Sequence, residues 1–402
     1  MSNWEIIKVQ DIGQLHNGRA FKPSEWSDQG LPIIRIQNLN GSQDFNYFDG
    51  NFESKHEVNY EDLLFAWSGS RGTSFGPYIW KGDRSLLNQH IFKVDLKEGI
   101  DKVFIYYMLK RLTSQIEYNA HGSAGLVHIT KKELEKFELH LPPLKEQQKI
   151  AEILSSVDAA IEKTEQVIAK TEEVKKGLMQ QLLTRGIDQK KFKDSPVGQI
   201  PIIWNVERLG SEAYIKARIG WKGLSSEEYT DEGPYLIAGK HILRTNILWE
   251  KCDHISMERY EESPEIMLRN DDVIMTKDGT IGRVAHIESL NDKATINGTM
   301  MLIRPLENLE GKFIYYYFQS TRFQRLIKEK VSGSSIPHIF QRDLVEFKIP
   351  VPPLNEQRKI VEILSNIDKK IEREYEVLEY ISNLKKGLMQ QLLTGKTRVK
   401  ID

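Results

Sequence analysis

Apolar residues recur at alternating steps of four and three along two long stretches of the chain. In the first they are Ile150, Leu154, Val157, Ile161, Ile168, Leu178 and Leu182. In the second they are Ile360, Leu364, Ile367, Ile371, Leu378, Ile381, Leu388 and Leu392. This alternation keeps apolar side chains on one stripe of an α-helix and forms the seam of a coiled coil. Thr164, Thr171 and Lys175 interrupt one seam, and Glu374 and Lys385 the other, so the breaks help to select a single register. A Pro-Pro pair opens each helix, with Glu146 or Glu356 near its positive end, and Gly186 and Gly395 are natural stops. Each helix would be roughly 60 Å long at 1.5 Å per residue. That exceeds what packing on a single globule requires, so the two helices are expected to pair as a coiled coil, an antiparallel one if the two globules sit at its opposite ends.

The two stretches are copies of one another. Residues 142–184 and 352–394 align without a gap and share 25 of 43 positions, and KKGLMQQLLT is identical at 175–184 and 385–394. A fainter likeness precedes them, VHITKKELEKFELHLPPL against PHIFQRDLVEFKIPVPPL, with His128 and His338 at matching positions. KVFIYYML (102–109) likewise resembles GKFIYYYF (311–318). Gly177 and Gly387 lie inside the helices, where each costs about 1 kcal/mol relative to alanine. Their repetition suggests close backbone approach by the opposite helix or by a partner.

Between the helices the pattern changes to short apolar runs and loops. LPIIRIQNL, EDLLFAW and NQHIFKVDL predict strands, FIYYMLKRLTSQIE predicts a helix, and the second half offers counterparts. Gly/Ser-rich loops follow at SGSRGTSFG, HGSAG, TKDGTIG and VSGSS. The expected fold class is α+β: two mixed α/β globules, 1–140 and 201–350, and two long helical regions, 141–185 and 351–395. Residues 186–200 read as a linker and 396–402 as a C-terminal tail. The whole is a tandem repeat with a pseudo-two-fold axis.

Composition narrows the function. Of the 402 residues 40% are apolar and 28% charged, and no apolar run is long enough to span a membrane. The start lacks the basic and apolar regions of a secretory signal. The lone cysteine, Cys252, reads as a small buried hydrophobe. A cytoplasmic protein with no membrane partner is expected. Formal net charge is −1, and no region departs from neutrality by more than two charges. A grip on DNA would therefore rest on local patches or partner subunits.

No catalytic constellation is visible. The GKT at 395–397 lacks the upstream glycine of a phosphate loop, since position 390 is Gln390. The Pro-Pro-Leu elements are not the Asn/Asp-Pro-Pro-aromatic motif of amino-methyltransferases, and the histidines do not fall at metal-ligand spacing. This leaves a binder rather than an enzyme. Two related bodies in inverted orientation match the local dyads of DNA, whose half-sites lie about 34 Å or a multiple apart. Unlike globules would read unlike half-sites, while near-identical helices would seat two copies of one partner.

The chain resembles the specificity subunits of type I restriction–modification systems over essentially its whole length. The likeness is carried by HITKKELEKFELHLPPLKEQQKIAEILSSVD and HIFQRDLVEFKIPVPPLNEQRKIVEILSNID, each followed by KKGLMQQLL, and by DSPVGQIPIIWNVERLG at the start of the second half. The resemblance implies two target-recognition domains, and two modification subunits that use S-adenosylmethionine to methylate an adenine in each half of a gapped double-stranded DNA site. It implies two restriction subunits that use ATP and Mg, and no cofactor bound by this chain. A coiled-coil scaffold without sequence specificity is the alternative.

Candidate DNA-binding residues come from loops where backbone N–H groups can meet phosphates and polar side chains can reach base edges. In the first domain they are Asn38, Ser70, Arg71, Thr73, Ser123 and His128. In the second they are Lys222, Lys240, Arg244, Lys277, Thr280, Ser334, Ser335 and His338. Candidate partner-binding residues are the repeated Lys175, Lys176, Gln180 and Gln181 with their copies Lys385, Lys386, Gln390 and Gln391. No catalytic or metal-ligating residue is expected.

Overall fold

The computed structural model describes every residue except 1–3, 71, 123–125, 219–223, 245, 332–337 and 402. It divides into two compact units, Met1–Glu165 with Glu376–Asp402, and Gln166–Tyr375. Both long helices are cut by this division. Helix α2 (Leu144–Arg185) begins in the first unit and ends in the second, whereas α5 (Leu354–Leu392) does the reverse.

The globule of each unit follows one plan. In the first, a four-stranded antiparallel sheet runs in the order Gly13–Asn17, Ile91–Leu96, Leu63–Ala66, Gly76–Ile79. In the second, the order Ala213–Ala217, Met300–Pro305, Val273–Thr276, Val284–His286 repeats it. The central strands LLFA and VIMT are buried along their whole length, so they read as apolar runs rather than alternating patterns. A helix covers one face: α1 (Lys102–Asn119) in the first unit, and α3 (Gly311–Gln319) with α4 (Thr321–Val331) in the second. The stretch KFIYYYFQSTRFQRLIKEK, the counterpart of the first-unit helix, is thus two helices broken at Ser320, whose hydroxyl donates to Tyr317 O at 2.6 Å and accepts from Phe323 N at 3.3 Å.

The strand entering each globule lies antiparallel to the strand leaving it, Glu5–Lys8 against Glu138–Leu141 and Asn205–Arg208 against Lys348–Val351. Each long helix therefore departs beside the start of its own globule. Beneath that helix end, Trp4 donates to Glu146 Oε2 at 3.1 Å and Trp204 to Glu356 Oε2 at 2.9 Å. Buried Gln147 and Gln357 bond loop backbone, accepting from Asp101 N at 2.8 Å and Glu310 N at 3.0 Å.

The helices pair antiparallel within each unit, and their ends do more than pair. Leu182 and Leu183 of α2 join the core that holds Trp204 and Phe313. Leu392 and Leu393 join the core that holds Trp4 and Phe104. Each globule is thus completed by the helix that follows the other one. The linker 186–200 is packed rather than a bare connection, because Val197 and Ile200 are buried and Ile187 N donates to Glu356 Oε1 at 2.9 Å. The tail is docked as well, with the Arg398 guanidinium on both oxygens of buried Glu146 at 2.6 Å.

Candidate nucleic-acid interface and partner face

Local pairing brings the loops of each globule together. In the first unit Ser68–Ser70 runs antiparallel to Leu126–His128, and Ile129 N donates to Trp67 O at 3.0 Å. Ser70, Thr73 and His128 are exposed on this loop pair. Gly72 N donates to Glu117 Oε1 at 2.8 Å, which ties the loop to α1. His128 bridges by backbone to His121, whose Nε2 lies 2.6 Å from Glu133 Oε1. Bonds from Thr130 and then His121 hold the Glu133 carboxyl low, at about 2.

The second unit repeats the scheme. Ile339 N donates to Lys277 O at 3.1 Å, and Asp278 bridges to His338. The His338 ring is bonded to the Asp278 carboxylate, which the Lys277 ammonium also reaches at 2.8 Å. Burial would raise the Asp278 carboxyl, but these two bonded neighbours outweigh it and hold it low. Thr280 is exposed at the loop tip, and its carbonyl accepts from Thr276 Oγ1. His128 and His338 thus occupy matching places beside unlike neighbours.

Other expected residues are placed elsewhere. Asn38 is buried, with its Oδ1 accepting from Arg35 N at 2.9 Å and its Nδ2 donating to Ser42 O and Asp44 O. Its amide closes a turn, which corrects its expected place on the reading surface. Lys277 is largely covered and Lys240 is paired with Asp253 at 2.9 Å. Arg244 lies against helix α5, its guanidinium carbon 3.3 Å from the centre of the Tyr375 ring, and so is corrected from loop reader to helix contact. Arg71, Ser123, Lys222, Ser334 and Ser335 lie outside the described residues.

The repeated helix ends divide into an inner and an outer face. Lys175 reaches Asp368 at 2.6 Å, and the equivalent Lys385 pairs with Asp158; both side chains are about 15% exposed. Asp368 also accepts from Tyr316 OH at 2.7 Å, as Asp158 does from Tyr107 OH at 2.7 Å. The expectation that Lys175 and Lys385 face a partner is therefore corrected: they clamp the helix pair internally. Burial first, then the bonded aspartate, pushes both phenols up, so they remain neutral donors. Lys176, Gln180, Gln181, Lys386, Gln390 and Gln391 are exposed. A Cβ built at Gly177 or Gly387 meets nothing within 4 Å, so these glycines do not admit the opposite helix.

The Tyr–Asp–Lys clamp was not singled out in the sequence, although each of its members is repeated. Tyr107 and Tyr316 share the FIYY stretch, Asp158 and Asp368 end SSVD and SNID, and the lysines open KKGLMQQLLT. What could have found it is the expectation that residues repeated in separate segments meet.

Comparison with known proteins agrees with this geometry. The family described as the type I restriction modification DNA specificity domain matches twice, over residues 1–173 and 201–382. The chain is similar to the type I restriction enzyme MjaVIII specificity subunit of Methanocaldococcus jannaschii, with 28% identity over 99% of this chain and 94% of that one. It is similar to the EcoBI specificity subunit of Escherichia coli at 24% identity, over 98% of this chain and 86% of that one. The crystal structure of the type I restriction–modification S subunit from M. genitalium shares the fold, with TM-score 0.62 and 18% identity over 97% and 96% of the two chains. No helix among the described residues is long and apolar enough to cross a membrane. With two family matches in tandem, covering most of its length, the chain belongs to the type I restriction–modification DNA specificity family.

Proposed function

We propose that the chain is the DNA-reading subunit of a type I restriction–modification complex acting in the cytoplasm. Its two globules read the two halves of a gapped sequence, and its repeated helix ends seat two copies of a modification subunit. The observation that carries this reading is a contrast between the two loop pairs and the two helix faces. The loop pairs share a backbone scheme but present unlike side chains, Ser68, Ser70 and His128 in one and Asp278, Thr280 and His338 in the other. Two different half-sites call for that difference, because base edges are told apart by side-chain donors and acceptors. The exposed helix faces instead carry the same residues twice, as two copies of one partner require.

In this reading the chain contributes no catalytic group and binds no cofactor. S-adenosylmethionine belongs to the modification subunits, and ATP and Mg to two restriction subunits. Near-neutral charge accords with a phosphate grip shared among subunits.

Genome-wide mapping of methylated adenines tests the reading in cells expressing the chain with and without its modification subunit. A two-part gapped motif is expected only with both, and exchange of residues 1–140 should alter one half alone. Methylation by this chain alone would point to an active site within it. None with a proven active partner would favour the scaffold.

The outer helix face has its own test. Gly177→Ala and Gly387→Ala should stabilise the free chain by up to about 1 kcal/mol each, since alanine is the better helix former and its methyl meets open space. Gly177→Leu with Gly387→Leu should fold equally well yet weaken assembly with the modification subunit in affinity measurements. Undiminished assembly would remove the glycines from the partner seat.

A further inference from the structure

The second globule touches its helix at a place the repeat does not explain. Strands Ile242–Leu243 and Asn246–Ile247 form a small antiparallel hairpin. Arg244 sits at its tip with φ of 56°, in the left-handed region that side chains other than glycine enter at a cost. Its guanidinium stacks 3.3 Å from the centre of the Tyr375 ring, and Asn246 Nδ2 donates to Glu372 Oε1 at 3.1 Å, about one turn earlier on α5. The Tyr375 hydroxyl donates to Glu172 Oε1 of α2 at 3.0 Å. That carboxylate adds negative potential to the ring facing the cation, in the sense that strengthens a cation–π contact.

These partners occur once. Tyr375 aligns with Glu165 and Glu172 with Ser382 in the other copy, whereas the Tyr–Asp–Lys clamp is present in both. Docking of the helix is thus already provided by the clamp, and the hairpin contact must answer to something particular to this half. Asp368 and Tyr375 are seven residues apart on α5, so the globule is held at two points about 10 Å apart along the helix. One point of attachment leaves a body free to tilt; two resist it.

We propose that Arg244 and Tyr375 form a brace that fixes the tilt of the second target-recognition domain on its helix, and so selects the gap length accepted between the half-sites. Arg244 is then a positioning residue, and this role presupposes the two-part DNA reading above. The left-handed backbone at Arg244 fits the assignment, because the stack holds a side chain in a conformation it would otherwise leave.

The test uses the full chain with its modification subunit, on duplexes carrying both half-sites at the native gap and at gaps one base pair shorter or longer. Arg244→Gly suits the left-handed backbone and removes an exposed side chain with its guanidinium, so thermal stability should hold. The preference for the native gap should fall roughly fivefold, the order of one cation–π contact, with the bases read in each half unchanged. Tyr375→Phe keeps the ring but loses the bond to Glu172, so it should lose less of the preference than Tyr375→Ala, which should behave as Arg244→Gly. An unchanged gap preference in Arg244→Gly overturns the brace, as does a changed base preference in the second half, which would make Arg244 a reader. Absence of any gapped-site methylation by the unmodified complex would instead remove the underlying DNA reading, and the brace with it.

Discussion

Trp204→Ala is expected to destabilise the protein by about 3–5 kcal/mol, the cost of emptying a buried aromatic site. Trp204 is fully buried, in a core shared by the sheet, α3 and the last turns of α2. Its indole N–H is also one of the donors on Glu356, whose other oxygen accepts from Ile187 N at 2.9 Å and Gln189 Nε2 at 3.2 Å. The substitution therefore opens a cavity and takes a bond from a buried carboxylate. Trp204→Phe keeps most of the volume, so the lost bond is the larger part of its cost and about 1–2 kcal/mol is expected. Denaturant unfolding of the two variants checks this. Equal and small losses would mean that neither the cavity nor the bond matters as argued.

Asp368→Ala should cost about 2–4 kcal/mol by stranding two groups at once. Fully buried Tyr316 loses the acceptor of its hydroxyl, retaining Ser365 Oγ at 3.2 Å, and Lys175 is left with its ammonium over the Tyr316 ring. Asp158→Ala removes the matching acceptor from Tyr107 and Lys385. The two sites share no partner, so the losses should add in the double variant. Asp368→Asn keeps an acceptor for the phenol and should lose less. Exchanging the charges, Lys175→Asp with Asp368→Lys, should restore part of the loss. If Asp368→Ala unfolds at the same denaturant concentration as the unmodified chain, the clamp is not what docks the helix end.

Much of the architecture could be read in one dimension. The heptad seams, the Pro-Pro entries and the Gly186 and Gly395 stops are local signals, and both stops take positive φ, 68° and 67°. The repeat announced two equivalent halves, and the family resemblance rested on those residues. The candidate site was less legible. Asn38 is a loop residue by pattern, yet its amide is spent on its own turn; Lys175 is a repeated charge, yet it faces Asp368. Nothing along the chain distinguishes a charge aimed at solvent from one aimed at a neighbour 193 residues away.

By itself the sequence determined the two long helices and the buried central strands, that the chain is made of two related halves, and to which family it belongs, because periodicity and repetition are carried by residue order alone. Only the tertiary structure decided that each helix end completes the globule of the other half, that Lys175 and Lys385 are internal, that Gly177 and Gly387 face open space, and that Arg244 leans on Tyr375. The reason is physical. Helix and strand follow from interactions among near neighbours, whereas the facing of a charge or the surroundings of a glycine depends on which distant segment the buried core brings alongside.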